Sequence, residues 1–141
     1  MRRARRGGFP VKPVNVKDYM SRNVVTIAPD ADLLEAVRIL VLHGLSALPV
    51  VDRAGSLVGI ISERDCLRDA FQASYFAEGG GKVRDCMTSQ VESVFAEDSI
   101  FDVAKKFQER PFKRFPVLQG NHLVGIISRR DLLRALLGHW G

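Results

Sequence analysis

The stretch Leu57-Val58-Gly59-Ile60-Ile61-Ser62-Glu63-Arg64-Asp65 returns almost letter for letter as Leu123-Val124-Gly125-Ile126-Ile127-Ser128-Arg129-Arg130-Asp131. A motif written twice restricts the chain to two similar units, because a duplicated sequence folds into a duplicated structure. Each copy is a short Ile- and Val-rich run, broken by a Gly and ended by a Ser, the pattern of a buried strand entering a turn. An amphipathic segment follows, so Ser and Asp stand at a strand-to-helix junction. Backbone N–H groups and the positive end of the helix dipole gather there, and anionic groups settle at such places.

The repeat reaches further back. Val16-Lys17-Asp18-Tyr19-Met20 returns as Val83-Arg84-Asp85-Cys86-Met87, an offset of 67 between positions 20 and 87, and Pro49 returns as Pro116 at the same spacing. Between Gly59 and Gly125 the offset is 66, which puts a one-residue deletion in the turn joining two strands. In the first copy Val24 to Ile27 is predicted as a strand. A helix follows, opened by Asp32 with Glu35 as a capping box and stopped by Gly44. Strands Ala47 to Val51 and Ser56 to Ile61 then form a hairpin around Asp52-Arg53-Ala54-Gly55, and a second helix starts after Ser62. The second copy predicts a strand over Val91 to Val94, a helix from Ser99 with Asp102 as box partner, strands Arg114 to Leu118 and His122 to Ile127, and a helix from Ser128. The fold class is α+β of an α/β type, two β-α-β-β-α repeats packed about a pseudo-twofold axis. A half of about 55 residues buries too little surface to be secure alone. The boundaries read as a basic arm 1–15, first repeat 16–71, linker 72–82 with Gly79-Gly80-Gly81, second repeat 83–137 and tail 138–141.

The net charge of +5 suggests nucleic acid until it is located. Arg2, Arg3, Arg5, Arg6 and Lys12 are five bases without an acid before Val16, which leaves 16 bases against 16 acids in the rest of the chain. The excess belongs to the arm, whose low apolar content, Gly7-Gly8 and prolines read as a disordered tail. No apolar run is long enough to span a membrane and no secretory signal is visible, so the expected location is the cytoplasm. Cys66 and Cys86 have neither disulfide-framework nor metal-ligand spacing. His43, His122 and His139 show no metal pattern either, and no nucleophile stands with a base, so no catalysis is expected.

The order of a V-K-D-x-M opening, a short strand with an acidic helix cap, an h-P-V strand (h being apolar) and h-V-G-I-I-S-x-x-D-h resembles a tandem pair of CBS domains, named for cystathionine beta-synthase. The resemblance covers Val16 to Leu137. It implies a regulatory module whose cleft between the repeats binds an adenosyl ligand such as AMP, ADP, ATP, S-adenosylmethionine or a cyclic dinucleotide, and which forms a homodimer and signals to another protein. It also implies crossed sites. Asp131 and Ser128 would work with Thr26 and the backbone near Ala47 and Leu48; Asp65 and Ser62 with Ser93 and the backbone near Arg114 and Phe115. The aspartates would take ribose hydroxyls, the serines would neighbour a phosphate or the ribose, and Met20, Ile27 or Val94 would flank the base; Arg64 and Arg130, at matching positions in the two motifs, read either as bases that neutralise phosphates or as solvated arginines at a helix start.

Spacing alone leaves S-x-x-D open to a plainer reading, Ser as N-cap with an acid at the third helical position, although such boxes favour Glu or Gln over Asp. The two sites are also unequal: His43-Gly44 becomes Arg110-Pro111, and Ser46 becomes Lys113. Three functions therefore stand side by side: an adenine-nucleotide sensor, a ligand-free dimerisation module in which S-x-x-D only caps helices, and nucleic-acid binding through the arm. Leu133, Leu136, Leu137 and Trp140 form an apolar stripe on the last helix, most of it expected to pack on its own sheet, with Trp140, one turn past the core residues, left to meet a second protomer.

Overall fold

The computed structural model of the chain describes residues 14–71 and 81–140. The expectations placed on the arm up to Pro13, on linker residues 72–80 and on the Trp140 side chain lie outside the described residues. The chain runs from a 3-10 turn (Val16–Asp18) through α1 (Leu33–His43), β1 (Ala47–Val51), β2 (Leu57–Ser62) and α2 (Glu63–Ala70). It continues with α3 (Val83–Cys86), β3 (Val94–Phe95), α4 (Ile100–Glu109), β4 (Arg114–Gln119), β5 (His122–Ser128) and α5 (Arg129–Trp140).

Two hairpins carry the repeat. β1 pairs antiparallel with β2 and β4 with β5, each with a bulge just after its central Val, between Val50 and Val51 and between Val117 and Leu118. The missing residue falls between them as expected. In the longer turn Asp52 Oδ1 accepts from Ala54 N (3.0 Å) and Ser56 N (2.9 Å), and in the shorter one Gly120 adopts φ 62°, a conformation that costs Gly nothing. The first helix of each half also ends by a different device. Gly44 is left-handed (φ 62°) and returns its N–H to Leu40 and Val41 carbonyls, whereas α4 runs out into extended Arg110 ahead of Pro111.

Several expectations are corrected. The stretch Val24 to Ile27 is not a strand; only Ile27 bridges, in parallel to Val50, so the first sheet has two strands and the second three, in the order β3-β4-β5. Asp32 makes no side-chain cap bond and pairs with Lys82 Nζ at 3.0 Å, and Ser99 caps Phe101 N without help from Asp102. At the start of the described residues Val14 O accepts from Ile100 N (2.8 Å) and Asn15 bridges Ser99. Gly81 and Lys82 are docked on the start of α1, with Leu33 N donating to Gly81 O at 2.9 Å, and residues 138–140 continue α5.

The opening segments change places. Val16, wholly buried, belongs to the core built by Val94, Ile100, Val103, Phe107, Phe115, Val117 and Ile127. Val83 and Cys86 belong to the other, with Ile27, Leu33, Ala36, Leu40, Leu48, Val50 and Ile61. Each half's core thus contains a piece of the other repeat, which supplies the burial that neither would have alone. The bonds behind the exchange match in pairs: Ser21 bridges Ile126 as Thr88 bridges Ile60, and Asn15 meets Ser99 as Lys82 meets Asp32. This explains the Gly in the doubled motif. A Cβ on Gly125 would lie 2.6 Å from Met20 Sδ and 2.8 Å from Ser21 O; one on Gly59 would lie 2.5 Å from Met87 Sδ and 2.9 Å from Thr88 O. The V-K-D-x-M segment crosses so close to the other repeat's strand that no side chain fits between them. The hairpin tips close a third seam, Leu57 N donating to Asn121 O and Leu123 N to Gly55 O, both at 3.1 Å.

Candidate functional site

Crossing the halves opens a cleft of about 620 Å³ between β2 with the start of α2 on one side and β4 with its approach on the other. Ser62, Glu63, Arg64 and Asp65 line it from the first half, and Phe112, Arg114 and Phe115 from the second, with Val91 and Glu92 between. The pairing of Ser62, Arg64 and Asp65 with Arg114 and Phe115 is the grouping that the sequence proposed. Ser93 is not among the lining residues: its carbonyl accepts from Lys106 Nζ at 2.8 Å, while its neighbours Val91 and Glu92 face the cleft. Glu92 is held by Arg110, whose Nε lies 2.8 Å from both carboxylate oxygens.

Both helix starts are reciprocal capping boxes. Asp65 N donates to Ser62 Oγ (3.1 Å), and Asp65 Oδ2 accepts from Ser62 N (3.0 Å) and from Ser62 Oγ (2.9 Å). In the second copy Asp131 N donates to Ser128 Oγ (3.1 Å) and Asp131 Oδ2 accepts from Ser128 N (2.8 Å). Asp therefore fills the acidic place of the box despite its shorter reach, and the capping reading of S-x-x-D holds in both copies. Glu63 N is also taken, by Ser46 O at 2.9 Å, and Arg129 N by Lys113 O at 3.2 Å. The helix N-termini are thus largely saturated, so the bases at the cleft, Arg64 and Arg114, are the groups placed to meet an anion.

The other oxygen of each aspartate faces an arginine one turn on. Arg68 lies 3.2 Å from Asp65 Oδ1, and Arg134 pairs with Asp131 in the same way. The repeated unit is S-x-x-D-x-x-R. Reading the motif to Asp missed Arg68 and Arg134, although their shared offset of 66 was a visible signal. Arg68 also donates to Cys86 O (3.1 Å), tying α2 to the exchanged segment. Its bond to Asp69 holds that carboxyl below the usual aspartate range, and Asp69 in return raises the guanidinium further. Burial, helped by the Asp65 charge, pushes the Cys66 thiol up to about 11.

Around Asp131 the surroundings differ. Thr26 is exposed and Ala47 half-buried, while the Leu48 side chain is wholly buried in the first core, so Leu48 could take part only through its backbone. Where the first cleft has Phe112, Arg114 and Glu92, the repeat places Leu45, Ala47 and Val25. Ile27 (6% exposed) and Val94 (2%) are core residues and do not line this cleft, whose apolar wall is Ile60, Val91, Phe112 and Pro116. Met20 packs on the second core, against the strand of Gly125. Among the described residues no group of three His, Cys, Asp or Glu could hold a metal ion, and no helix is long and apolar enough to cross a membrane.

Two crossed repeats, each with a helix, a β-hairpin and a second helix, and a cleft between them define a class, and the CBS domain family model matches residues 16–71 and 83–138. The chain belongs to the CBS domain family, as a tandem pair. It is 31% identical over 119 residues to the CBS domain-containing protein YhcV of Bacillus subtilis, covering 84% of this chain and 82% of that one. A longer relative, MJ1225 of Methanocaldococcus jannaschii, is 28% identical over 89% of this chain, which spans only 44% of it. Among solved structures, CBSX2, a CBS-pair protein from Arabidopsis thaliana, in complex with AMP superposes with a TM-score of 0.77 at 30% identity, covering 90% of this chain and 98% of that one. The CBS domain pair of protein MJ0100 in complex with 5'-methylthioadenosine and S-adenosyl-L-methionine gives 0.68 at 29%, covering 90% and 99%.

Proposed function

We infer that this chain is a regulatory module that binds an adenosyl ligand in the cleft between its repeats and passes the occupied state to a partner protein, without catalysis of its own. The observation that carries the reading is the cleft itself, which brings Asp65 and Arg64 of one repeat to Arg114 and Phe112 of the other. Its volume suits a small-molecule ligand. The complexes of CBSX2 with AMP and of MJ0100 with S-adenosyl-L-methionine support the ligand class. In this reading Arg64 and Arg114 meet the phosphate, Phe112 and Ile60 flank the base, and Asp65 exchanges its bond to the Ser62 hydroxyl for a ribose diol. The Asp131 side, lacking counterparts of Arg114 and Phe112, is the weaker site. The apolar faces of the helices, with Leu67 at 61% and Leu133 at 60% exposure, support a homodimer.

A second reading, a ligand-free dimerisation module, is favoured by one fact: both aspartates already satisfy capping boxes. Thermal unfolding against AMP, ADP, ATP and S-adenosylmethionine separates the two, on the parent and on Arg114→Ala, which leaves both caps intact. A ligand at a hundred times its dissociation constant stabilises by about 2.7 kcal/mol, on the order of 5–15 °C for a domain this size. A shift in the parent that shrinks in Arg114→Ala supports the sensor. No shift with any of the four sinks it in favour of the dimerisation module.

A further inference from the structure

Arg129 N donates to Lys113 O at 3.2 Å across the open end of the β4–β5 hairpin, and Arg114 and Arg130 come next in the chain on either side. Four bases thus gather about a single backbone bond, and all are exposed. Among the described residues none of their side chains holds an ion pair or a hydrogen bond. Elsewhere in the fold bases find carboxylates, as Lys17, Arg38, Arg68, Lys82, Arg110 and Arg134 do. The acids beside the cluster are already taken: Asp131, next to Arg130, pairs with Arg134, and Glu92, which shares the cleft with Arg114, pairs with Arg110. The first repeat supplies the control. Its equivalent bond, Glu63 N to Ser46 O at 2.9 Å, joins the same places in the fold, and there the residues are Ser46, Ala47, Glu63 and Arg64, one base against one acid. The fold therefore does not require the four bases, and their mutual repulsion works against it.

We propose that Lys113, Arg114, Arg129 and Arg130 are a docking surface for an acidic segment of the regulated protein. This rests on the regulatory reading above and names the chemistry of the partner. Three of the four bases are Arg, whose planar fork takes a carboxylate through two parallel N–H bonds. A nucleic-acid strand needs a longer basic track, but from Val16 onward 16 bases face 16 acids, so the cluster is a spot rather than a stripe. Arg114 belongs to two surfaces, since it also lines the cleft. A ligand phosphate that engages Arg114 withdraws it from the partner, so occupation of the cleft and docking oppose each other, and each weakens the other by the same factor.

The test uses the full chain and the fluorescence anisotropy of a labelled poly-glutamate peptide at low salt. The variant is Lys113→Ser with Arg129→Glu, which installs the residues that the first repeat carries at the same places and leaves the basic arm as it is. The parent is expected to bind the peptide and the variant to bind it about tenfold more weakly. Equal affinity in the two proteins assigns the binding to the arm and overturns the proposal, as does no binding at millimolar peptide. An oligothymidylate that binds the parent at least tenfold more tightly than the peptide, and loses that advantage in the variant, makes the cluster a nucleic-acid site and overturns the acidic partner. AMP, added to the parent, is expected to weaken the peptide by about fivefold. If AMP raises the melting point but leaves the peptide affinity unchanged, the shared role of Arg114 is wrong. If AMP does not raise the melting point while the peptide still docks through the cluster, the AMP-sensing reading fails and the docking surface stands.

Discussion

Gly125→Ala adds a single methyl group, and the structure sets what it meets. The new Cβ would sit 2.6 Å from Met20 Sδ, 3.0 Å from Met20 Cγ and 2.8 Å from Ser21 O. The thioether can swing aside, but the Ser21 carbonyl is backbone and is fixed by its bond from Ile126 N at 2.9 Å. Restoring an ordinary contact requires the exchanged segment to back away by about half an ångström, in a core that tolerates little overpacking. Such insertions cost roughly 1–3 kcal/mol, and weakening the paired bonds between Ser21 and Ile126 adds about 1 kcal/mol. The lower entropy of the unfolded Ala chain returns roughly 0.4–1 kcal/mol. The net loss is about 2–3 kcal/mol, or a melting point lower by about 10 °C. Gly138→Ala serves as the control: nothing lies within 4 Å of its Cβ site in α5, so better helix propensity should stabilise it slightly. Met20→Ala in the Gly125→Ala background should recover the thioether part of the clash but not the carbonyl part. If differential scanning calorimetry finds Gly125→Ala melting with the parent, the close crossing of the repeats is not what keeps Gly in the motif.

Two further outcomes follow from buried groups. Val16→Ala, which removes two methyl groups from a wholly buried side chain, should cost about 2 kcal/mol and lower hydrogen-exchange protection in β4 and β5, the strands of the other repeat; loss of protection confined to β1 and β2 would contradict the exchange. Cys66 is held neutral, its thiol raised from 9.0 to about 11, so its share of stability is complete below pH 9 and is lost as the pH rises through 11. At pH 9 roughly 1% of the folded thiol is ionised against half of the unfolded one, so iodoacetamide should label Cys66 at least about fifty times more slowly in the native protein than in urea.

The two helices and the hairpin of each repeat were legible because their signals are local: apolar periodicity, Gly44 as a stop, Asp-x-x-Gly in a turn. The pairing of Asp65 with Arg114 was legible only through family resemblance, since no local pattern says which strand a loop will face. The exchange of Val16 and Val83 was invisible for the same reason. Each V-K-D-x-M segment is contiguous with its own repeat, and burial does not name the core that provides it. Val24 to Ile27 looked like a strand because its residues are β-branched, but only Ile27 finds a backbone partner, and propensity without a neighbour makes no sheet. Arg68 and Arg134 went unread because they lie beyond the motif in sequence. Arg64 and Arg130 lie next to the motif, whereas Arg68 and Arg134, one turn on, are the ones that reach the carboxylates.

The crossing of the opening segments makes this chain, in effect, a domain-swapped dimer whose two members have been tied end to end. A solitary repeat would carry its own finishing piece facing outward and could complete its core only by finding another copy, at the mercy of concentration; the tether turns that search into an intramolecular one at an effective concentration on the order of millimolar. The same knot limits how the molecule can move. Prising the cleft wide would pull Val16 and Val83 from their pockets together, a cost that opposes a hinge between the halves. Under the proposed regulatory reading, a signal arising in the cleft would leave through small repacking at its walls or through the outer helices rather than through a hinge between the repeats.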